Sequence, residues 1–136
     1  MQTFLPYANF EQSAACLDRQ RLGKQRVETK QIYLALTQPS YGWQNHPAVK
    51  MWRGCEVALA AYGQAMCREW IGRGYNDTML PFFDSIAAAS IGQLPRWYGD
   101  TTFHVSHRSN LIRKLPTHYA PLWPDVSAEL PYVWPV

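Results

Sequence analysis

Residues 17–36 read LDRQRLGKQRVETKQIYLAL. The stretch holds no Pro and one Gly and is rich in good helix formers, which predicts one helix of about five turns. Arg19, Arg21, Lys24, Arg26 and Lys30 stand against only two acids, Asp18 and Glu28. At about 100° per residue, Arg19, Gly23, Arg26 and Lys30 fall in one polar row, and Arg21, Lys24 and Glu28 in another. A thin apolar seam runs between them through Leu22, Thr29, Ile32, Tyr33 and Leu36. A supporting helix usually shows a broad apolar stripe. Here the apolar character sits in the last two turns, and the first three carry charge. Two readings fit. One is a solvated face, with Lys24 and Glu28 as an i,i+4 pair worth a few tenths of a kcal/mol. The other is a helix facing nucleic acid, with a working glutamate set among its bases.

Outward from this helix, the chain punctuates itself. On the N-terminal side, residues 1–10 are short and extended around Pro6, and Asn9 is placed to cap a short turn through Cys16. On the C-terminal side, TQPSYGWQN (37–45) is a loop by its Pro, Gly and Ser content. Asn45-His46-Pro47 starts a second helical segment, with Pro47 in the first position. Gly54 breaks it before residues 55–73, whose apolar positions 58, 62, 65, 66 and 70 predict the main core helix, with Gly74 as its C-cap. FFDSIAAASIG (82–92) predicts one short helix, LPRWYGD (94–100) a turn, and SHRSNLIRK (106–114) a further short basic helix. The tail from Pro116 carries five prolines in 21 residues, so it cannot be a long helix. It is expected to wrap the surface, anchored by Trp123, Tyr132 and Trp134. The fold class is therefore all-α: one compact domain over residues 1–136, with about three main helices and a Pro-rich, aromatic C-terminal tail.

Composition removes several classes of function. The 136 residues are 47% hydrophobic, which excludes a disordered chain and suffices for one buried core. No run approaches the length of a membrane span, and the N-terminus lacks the basic-then-apolar pattern of a secretory signal. A cytoplasmic, nucleoid-associated protein is expected, with no membrane partner. Cys16, Cys55 and Cys67 form no CxxC and are expected as small buried hydrophobes. His104, His107 and His118 cluster, but no carboxylate or Cys stands at ligand spacing, so no metal is expected. P-loop, GxGxxG and GxSxG motifs are absent. The net charge of +3 hints at an anionic partner, and six Trp and eight Tyr among clustered bases suit stacking on bases. A second basic cluster, Arg108, Arg113 and Lys114, is followed by Tyr119 and Trp123. Phosphate contacts and base stacking suit that cluster, and so does an ordinary C-terminal segment with core aromatics.

In combination, these motifs resemble the pyrimidine-dimer DNA glycosylases, the endonuclease V type of phages and bacteria. That family shows Leu-x-x-Gln-x-Leu and then a Glu six residues on, as in Leu17-Asp18-Arg19-Gln20-Arg21-Leu22 and Glu28. Its bacterial members carry Leu-Asp-Arg-Gln at this point and a loop ending in His-Pro before a helix, like Asn45-His46-Pro47. A later helix ends in Arg-Gly-aromatic, like Arg73-Gly74-Tyr75, and phage members end in a basic helix followed by Pro-Thr-x-Tyr, like residues 116–119. The matches run in order from about residue 10 to residue 123. In two respects this chain departs from the family: Arg26 precedes Glu28 by two positions, not one, and the N-terminal amine belongs to Met1 instead of to a small residue.

The resemblance implies a compact helical DNA glycosylase with AP-lyase activity on damaged or modified pyrimidines, a monomer on double-stranded DNA, with no metal or cofactor. The family uses the chain's N-terminal α-amine, a group whose ordinary pKa of about 8 leaves a useful neutral fraction at pH 7. It forms a Schiff base at the sugar C1′ while a glutamate moves protons. Carried over, the amine belongs to Met1, retained because Gln2 is large, and the carboxylate to Glu28. Gln20, Arg21, Lys24, Arg26, His46, Arg108, Asn110, Arg113 and Lys114 are then the DNA-binding set, with Tyr119 and Trp123 near the sugar or a displaced base. A non-catalytic DNA- or RNA-binding helical module, and a protein-interaction domain whose aromatics are all core, remain the alternatives.

Overall fold

A computed structural model describes residues 1–88 and 92–136. Among these residues the chain is all-helical: α1 (Phe10–Cys16), α2 (Arg19–Thr37), α3 (Pro47–Lys50), α4 (Glu56–Gly72), α5 (Leu80–Ile86), α6 (Thr101–Lys114) and α7 (Pro116–Tyr119), then a 3₁₀ turn, Ala120–Leu122. The expectation of about three main helices is coarser than this arrangement. Only α2, α4 and α6 exceed ten residues, and short capped pieces connect them.

Local chemistry sets the boundaries. Asn9 accepts the Gln12 N–H to start α1, Asp18 accepts the Arg21 N–H to start α2, and His46 accepts the Ala48 N–H ahead of Pro47 in α3. Gly74, at φ 93°, turns the chain out of α4, a conformation that suits a residue without Cβ. The basic helix expected over 106–114 begins earlier, because Asp100 caps it by accepting the Thr102 N–H. The helix expected over 82–92 is α5, which starts at Leu80 and ends at Ile86; residues 89–91 lie outside the described part.

α4 is the centre of the fold. Ala58, Tyr62, Ala65 and Met66 of its expected stripe are buried, and so are Leu59, Ala60, Ala61, Gly63 and Cys67. Trp70, expected on that stripe, is half-exposed and lies across α2: a Cβ on Gly23 would meet its ring carbons at 3.1 Å. Gly23 thus leaves the solvent row and becomes the point where α2 and α4 approach. Arg26 leaves it too. Its guanidinium pairs with the Asp77 carboxylate and sits 4.5 Å from the Trp70 ring centroid. Asp77 Oδ2 meanwhile accepts the N–H groups of Met79 and Leu80 ahead of α5. The buried seam of α2 is Leu22, Gln25, Thr29, Ile32 and Ala35. Two of the apolar positions expected there, Tyr33 and Leu36, are only half-buried.

The tail crosses the surface of α6. Arg113 donates to the carbonyls of Ala128 and Leu130, and Ser109 Oγ accepts the Leu130 N–H. Tyr132 and Trp134 stack at 5.1 Å. Among the described residues no helix is long and apolar enough to cross a membrane.

Candidate active site at the N-terminus

An extended segment has no helix or sheet to satisfy its peptide groups, so a buried one needs other partners. Residues 2–6 are buried, and side chains answer them one after another. Gln2 N–H donates to Glu28 Oε2 at 3.0 Å, and its carbonyl accepts Gln25 Nε2 at 2.9 Å. Phe4 N–H donates to Gln25 Oε1 at 2.8 Å, and its carbonyl accepts the Tyr62 hydroxyl at 2.7 Å. Leu5 N–H donates to His107 Nδ1 at 2.9 Å, and His104 Nδ1 donates to its carbonyl at 2.8 Å. Arg108 Nε donates to the Pro6 carbonyl at 2.7 Å. The chain start is threaded between α2, α4 and α6, and its position is dictated by five side chains on those helices and by Glu28.

Met1 emerges from this cradle into a cleft of about 330 Å³, lined also by Gln20, Arg21, Lys24, Glu28 and Lys114. A second groove of about 490 Å³ shares Gln20, Lys24 and Glu28 and continues to Trp70. Lys24 makes no ion pair with Glu28, whose Oε2 is occupied by the Gln2 N–H and, at 3.4 Å, by Gln25 Nε2. The i,i+4 pair of the solvated-helix reading is therefore not formed. His46 stands nearby. Burial lowers its pKa, the N-terminal amine lowers it further, and Glu28 acts in the opposite sense. Amine, carboxylate and imidazole share one electrostatic neighbourhood. A neutral amine beside a carboxylate, edged by cations, is able to attack an electrophilic carbon and pass protons within reach of phosphates.

The structure thus brings Met1, Gln20, Arg21, Lys24, Glu28 and Lys114 together, with His46 alongside. It places the other expected residues elsewhere. Arg26 is held by Asp77. Arg108 lies over the Tyr7 ring and secures Pro6, while Arg113 fastens the tail. Asn110 Oδ1 is buried without a hydrogen-bond partner. Tyr119 is 0% exposed, and its hydroxyl bonds to the Asp18 carboxylate while accepting the Asp18 N–H. Burial works to raise the Asp18 pKa, and the hydrogen bonds from Tyr119 and Arg21 overcome it, so the carboxyl stays below its usual range. Trp123, 6% exposed, stacks on Tyr119 at 5.7 Å and donates to the Tyr7 hydroxyl. Both rings belong to the core, with no open face for a base.

Sequence reasoning missed Gln25, Tyr62, His104 and His107, which hold the chain start. It also missed Arg73 as a fastener: its Nη2 donates to the carbonyls of Ala14, Ala15 and Leu17 at the end of α1. Gln25 carried a signal. It sits at i+3 from Leu22 and i−4 from Thr29, a long polar residue inside the apolar seam. The histidines signalled only a cluster without metal spacing.

Two comparisons return nothing: no curated protein and no solved structure matches the chain. A family model described as pyrimidine dimer DNA glycosylase matches residues 1–81, which include Met1, the α2 cations, Glu28 and His46, and stop before α6 and the tail. That match covers more than half of the 136 residues, and the chain belongs to the pyrimidine dimer DNA glycosylase family.

Proposed function

We propose that the protein is a DNA base-excision glycosylase with AP-lyase activity on damaged or modified pyrimidines, with the Met1 α-amine as nucleophile and Glu28 as acid/base. The observation that carries this reading is the 3.0 Å bond from Gln2 N–H to Glu28 Oε2, which sets the chain's amine one residue from a carboxylate at the mouth of a cationic cleft. The neutral amine attacks C1′ of the damaged nucleotide. The C1′–N bond breaks, and the base departs with its electron pair and takes a proton. The amine loses a proton, the C1′–O4′ bond breaks with its electron pair on O4′, which takes a proton, and an iminium then links Met1 to C1′. Glu28 then accepts a C2′ proton, the C3′–O bond breaks, and the 3′ phosphate leaves.

Lys24 and Lys114 hold phosphates at the cleft; Gln20 borders it, and so does Arg21, which shares its charge with Asp18 at 3.2 Å. The substrate is double-stranded DNA, and reaching C1′ takes a flipped or bent nucleotide at about a few kcal/mol. The chemistry as written needs no metal or cofactor. The protein acts as a single domain and a monomer, in the cytoplasm at the nucleoid.

The test is cleavage of a duplex carrying a thymine dimer or an abasic site. Acetylating or extending the N-terminus abolishes base release and leaves DNA binding within a few-fold. Glu28→Gln slows strand cleavage by at least about 10²-fold, the scale of a positioned acid/base. Extended protein that cleaves like wild type removes the amine from the mechanism. A Glu28→Gln variant with wild-type rates removes the carboxylate. Wild type that binds DNA and cleaves neither substrate leaves the non-catalytic binding module as the function.

A further inference from the structure

Trp43 stands apart from the other aromatics of the fold. Its side chain is 62% exposed, and it packs in neither buried cluster. Its backbone lies at φ 71°, the left-handed region that bulky residues rarely enter, and among the described residues no other non-glycine does so. The loop that imposes this conformation is fastened from several sides. Gln44 Nε2 donates to the carbonyls of Gln38 and Pro39 at 3.0 and 2.7 Å, Arg53 donates to the Gln44 carbonyl at 3.0 Å, and His46 N–H donates to the Trp43 carbonyl at 3.0 Å. These bonds hold most of the indole out in water, at a cost in apolar exposure.

The indole is connected to the candidate reaction centre ring by ring. Trp43 meets His46 at 6.0 Å, His46 meets Trp134 at 6.1 Å, and Trp134 stacks on Tyr132, whose hydroxyl accepts Gln2 Nε2. Beyond His46, α3 runs one turn to Lys50. Lys50, Arg53 and Arg96 line a groove of about 580 Å³, bordered by Pro135 and Val136, that has no Asp or Glu side chain among its lining residues. None of these three cations is in an ion pair among the described residues, and Arg53, which gives one Nη to the Gln44 carbonyl, ties the Trp43 loop to this groove. An exposed π-face beside a cationic track is the combination that binds unpaired nucleotides.

We propose that Trp43 stacks on a base next to the lesion, filling the gap that a displaced nucleotide leaves in the duplex. Lys50, Arg53 and Arg96 carry the phosphates of the strand that runs on past it. Taking a base out of the stack costs the neighbouring bases their contacts, and an inserted ring restores part of that loss. The inference rests on the reading of the Met1–Glu28 cleft as a DNA-lesion site.

Because glycine adopts positive φ freely, Trp43→Gly removes the ring and keeps the loop. Anisotropy titrations compare a duplex carrying a tetrahydrofuran abasic analogue with the same duplex fully paired. Trp43→Gly is expected to weaken binding to the abasic duplex roughly tenfold, the scale of one lost stack, while paired DNA changes by less than about twofold. Trp43→Phe retains most of the affinity. An unchanged abasic affinity, or an equal loss on both duplexes, overturns the inference. With wild type, 2-aminopurine opposite the abasic analogue is expected to be quenched on binding, and a brightening overturns it as well. Borohydride trapping of wild type runs in parallel and reads the chemistry separately. Trapping without the selective loss removes Trp43 alone, and selective loss without trapping removes the catalytic reading alone.

Discussion

Replacing Gln25 with leucine tests whether the N-terminal cradle positions the amine. Gln25 is 1% exposed, and its amide answers Phe4 N–H, the Gln2 carbonyl and the Tyr62 hydroxyl together. Leucine has a similar volume, so the cavity is small. The loss falls on hydrogen bonds. Tyr62 keeps the Phe4 carbonyl, which leaves Phe4 N–H and the Gln2 carbonyl without a protein partner. Two buried orphans at about 1–3 kcal/mol each, less the gain from the apolar side chain, give about 2–5 kcal/mol. With a urea slope of about 2 kcal/mol/M, the unfolding midpoint falls by about 1–2.5 M. Because those two groups belong to residues 2–4, the chain start loosens first. Misplacing a reacting group by about 1 Å costs about 10²-fold, so cleavage of abasic DNA falls by at least about tenfold in buffer where the helical circular dichroism is unchanged. A midpoint shift below about 0.3 M, or a wild-type cleavage rate, refutes the argument that Gln25 holds the amine in place.

Two further outcomes follow from the charges. Burial lowers the pKa of His107 to about 3, and the nearby His104 adds to the effect, so the folded protein keeps His107 neutral where the unfolded chain, titrating near its ordinary value, is protonated. The folded value lies below the unfolded one, so stability is full above about pH 6.5 and falls as pH drops from there towards about 3; urea midpoints flat from pH 6.5 to 8 and declining below check this, and a midpoint that rises on acidification contradicts it. DNA affinity is expected to fall with salt at a slope of about −3 to −5 in log–log form; Lys24→Gln flattens it by about 1, whereas Arg26→Gln, already neutralised by Asp77, leaves the slope unchanged and lowers the thermal midpoint.

The contrast between Lys24 and Arg26 shows how far local pattern reaches. Both lie on α2, and helical spacing places both on polar faces. What separates a free cation from a structural one is Asp77, 51 residues from Arg26 in sequence. The same limit explains the C-terminal cluster. Arg108, Arg113, Tyr119 and Trp123 read as a basic, aromatic DNA surface, yet their partners are Pro6, Ala128, Asp18 and Tyr7. Three of these four partners lie outside any local window.

Where the signal was local, it was legible: the cap Asn9, Pro47 opening α3, Gly74 closing α4, and the buried positions 58, 62, 65 and 66. Asp100 shows a local signal read too late, because the basic composition of 106–114 drew the boundary away from the cap. The family followed from ordered short motifs, and residues 1–81 match it. The threading of residues 2–6 through the core left no mark in periodicity, since an extended segment satisfied by side chains has no repeat of its own.

Borohydride trapping on an abasic duplex reads the covalent bond between amine and sugar itself. A Schiff base between the Met1 amine and C1′ is reduced to a stable secondary amine, read as a covalent protein–DNA band and located by mass spectrometry of the digested adduct. Wild type is expected to give a band, with the sugar remnant on the peptide beginning at Met1, and no band after N-terminal acetylation. A remnant on Gln2 after loss of Met1 moves the nucleophile by one residue, to the nitrogen that stands 3.0 Å from Glu28 Oε2, and contradicts the Met1 assignment. A remnant on a lysine side chain, or no band from protein that binds the duplex, contradicts the amine mechanism altogether.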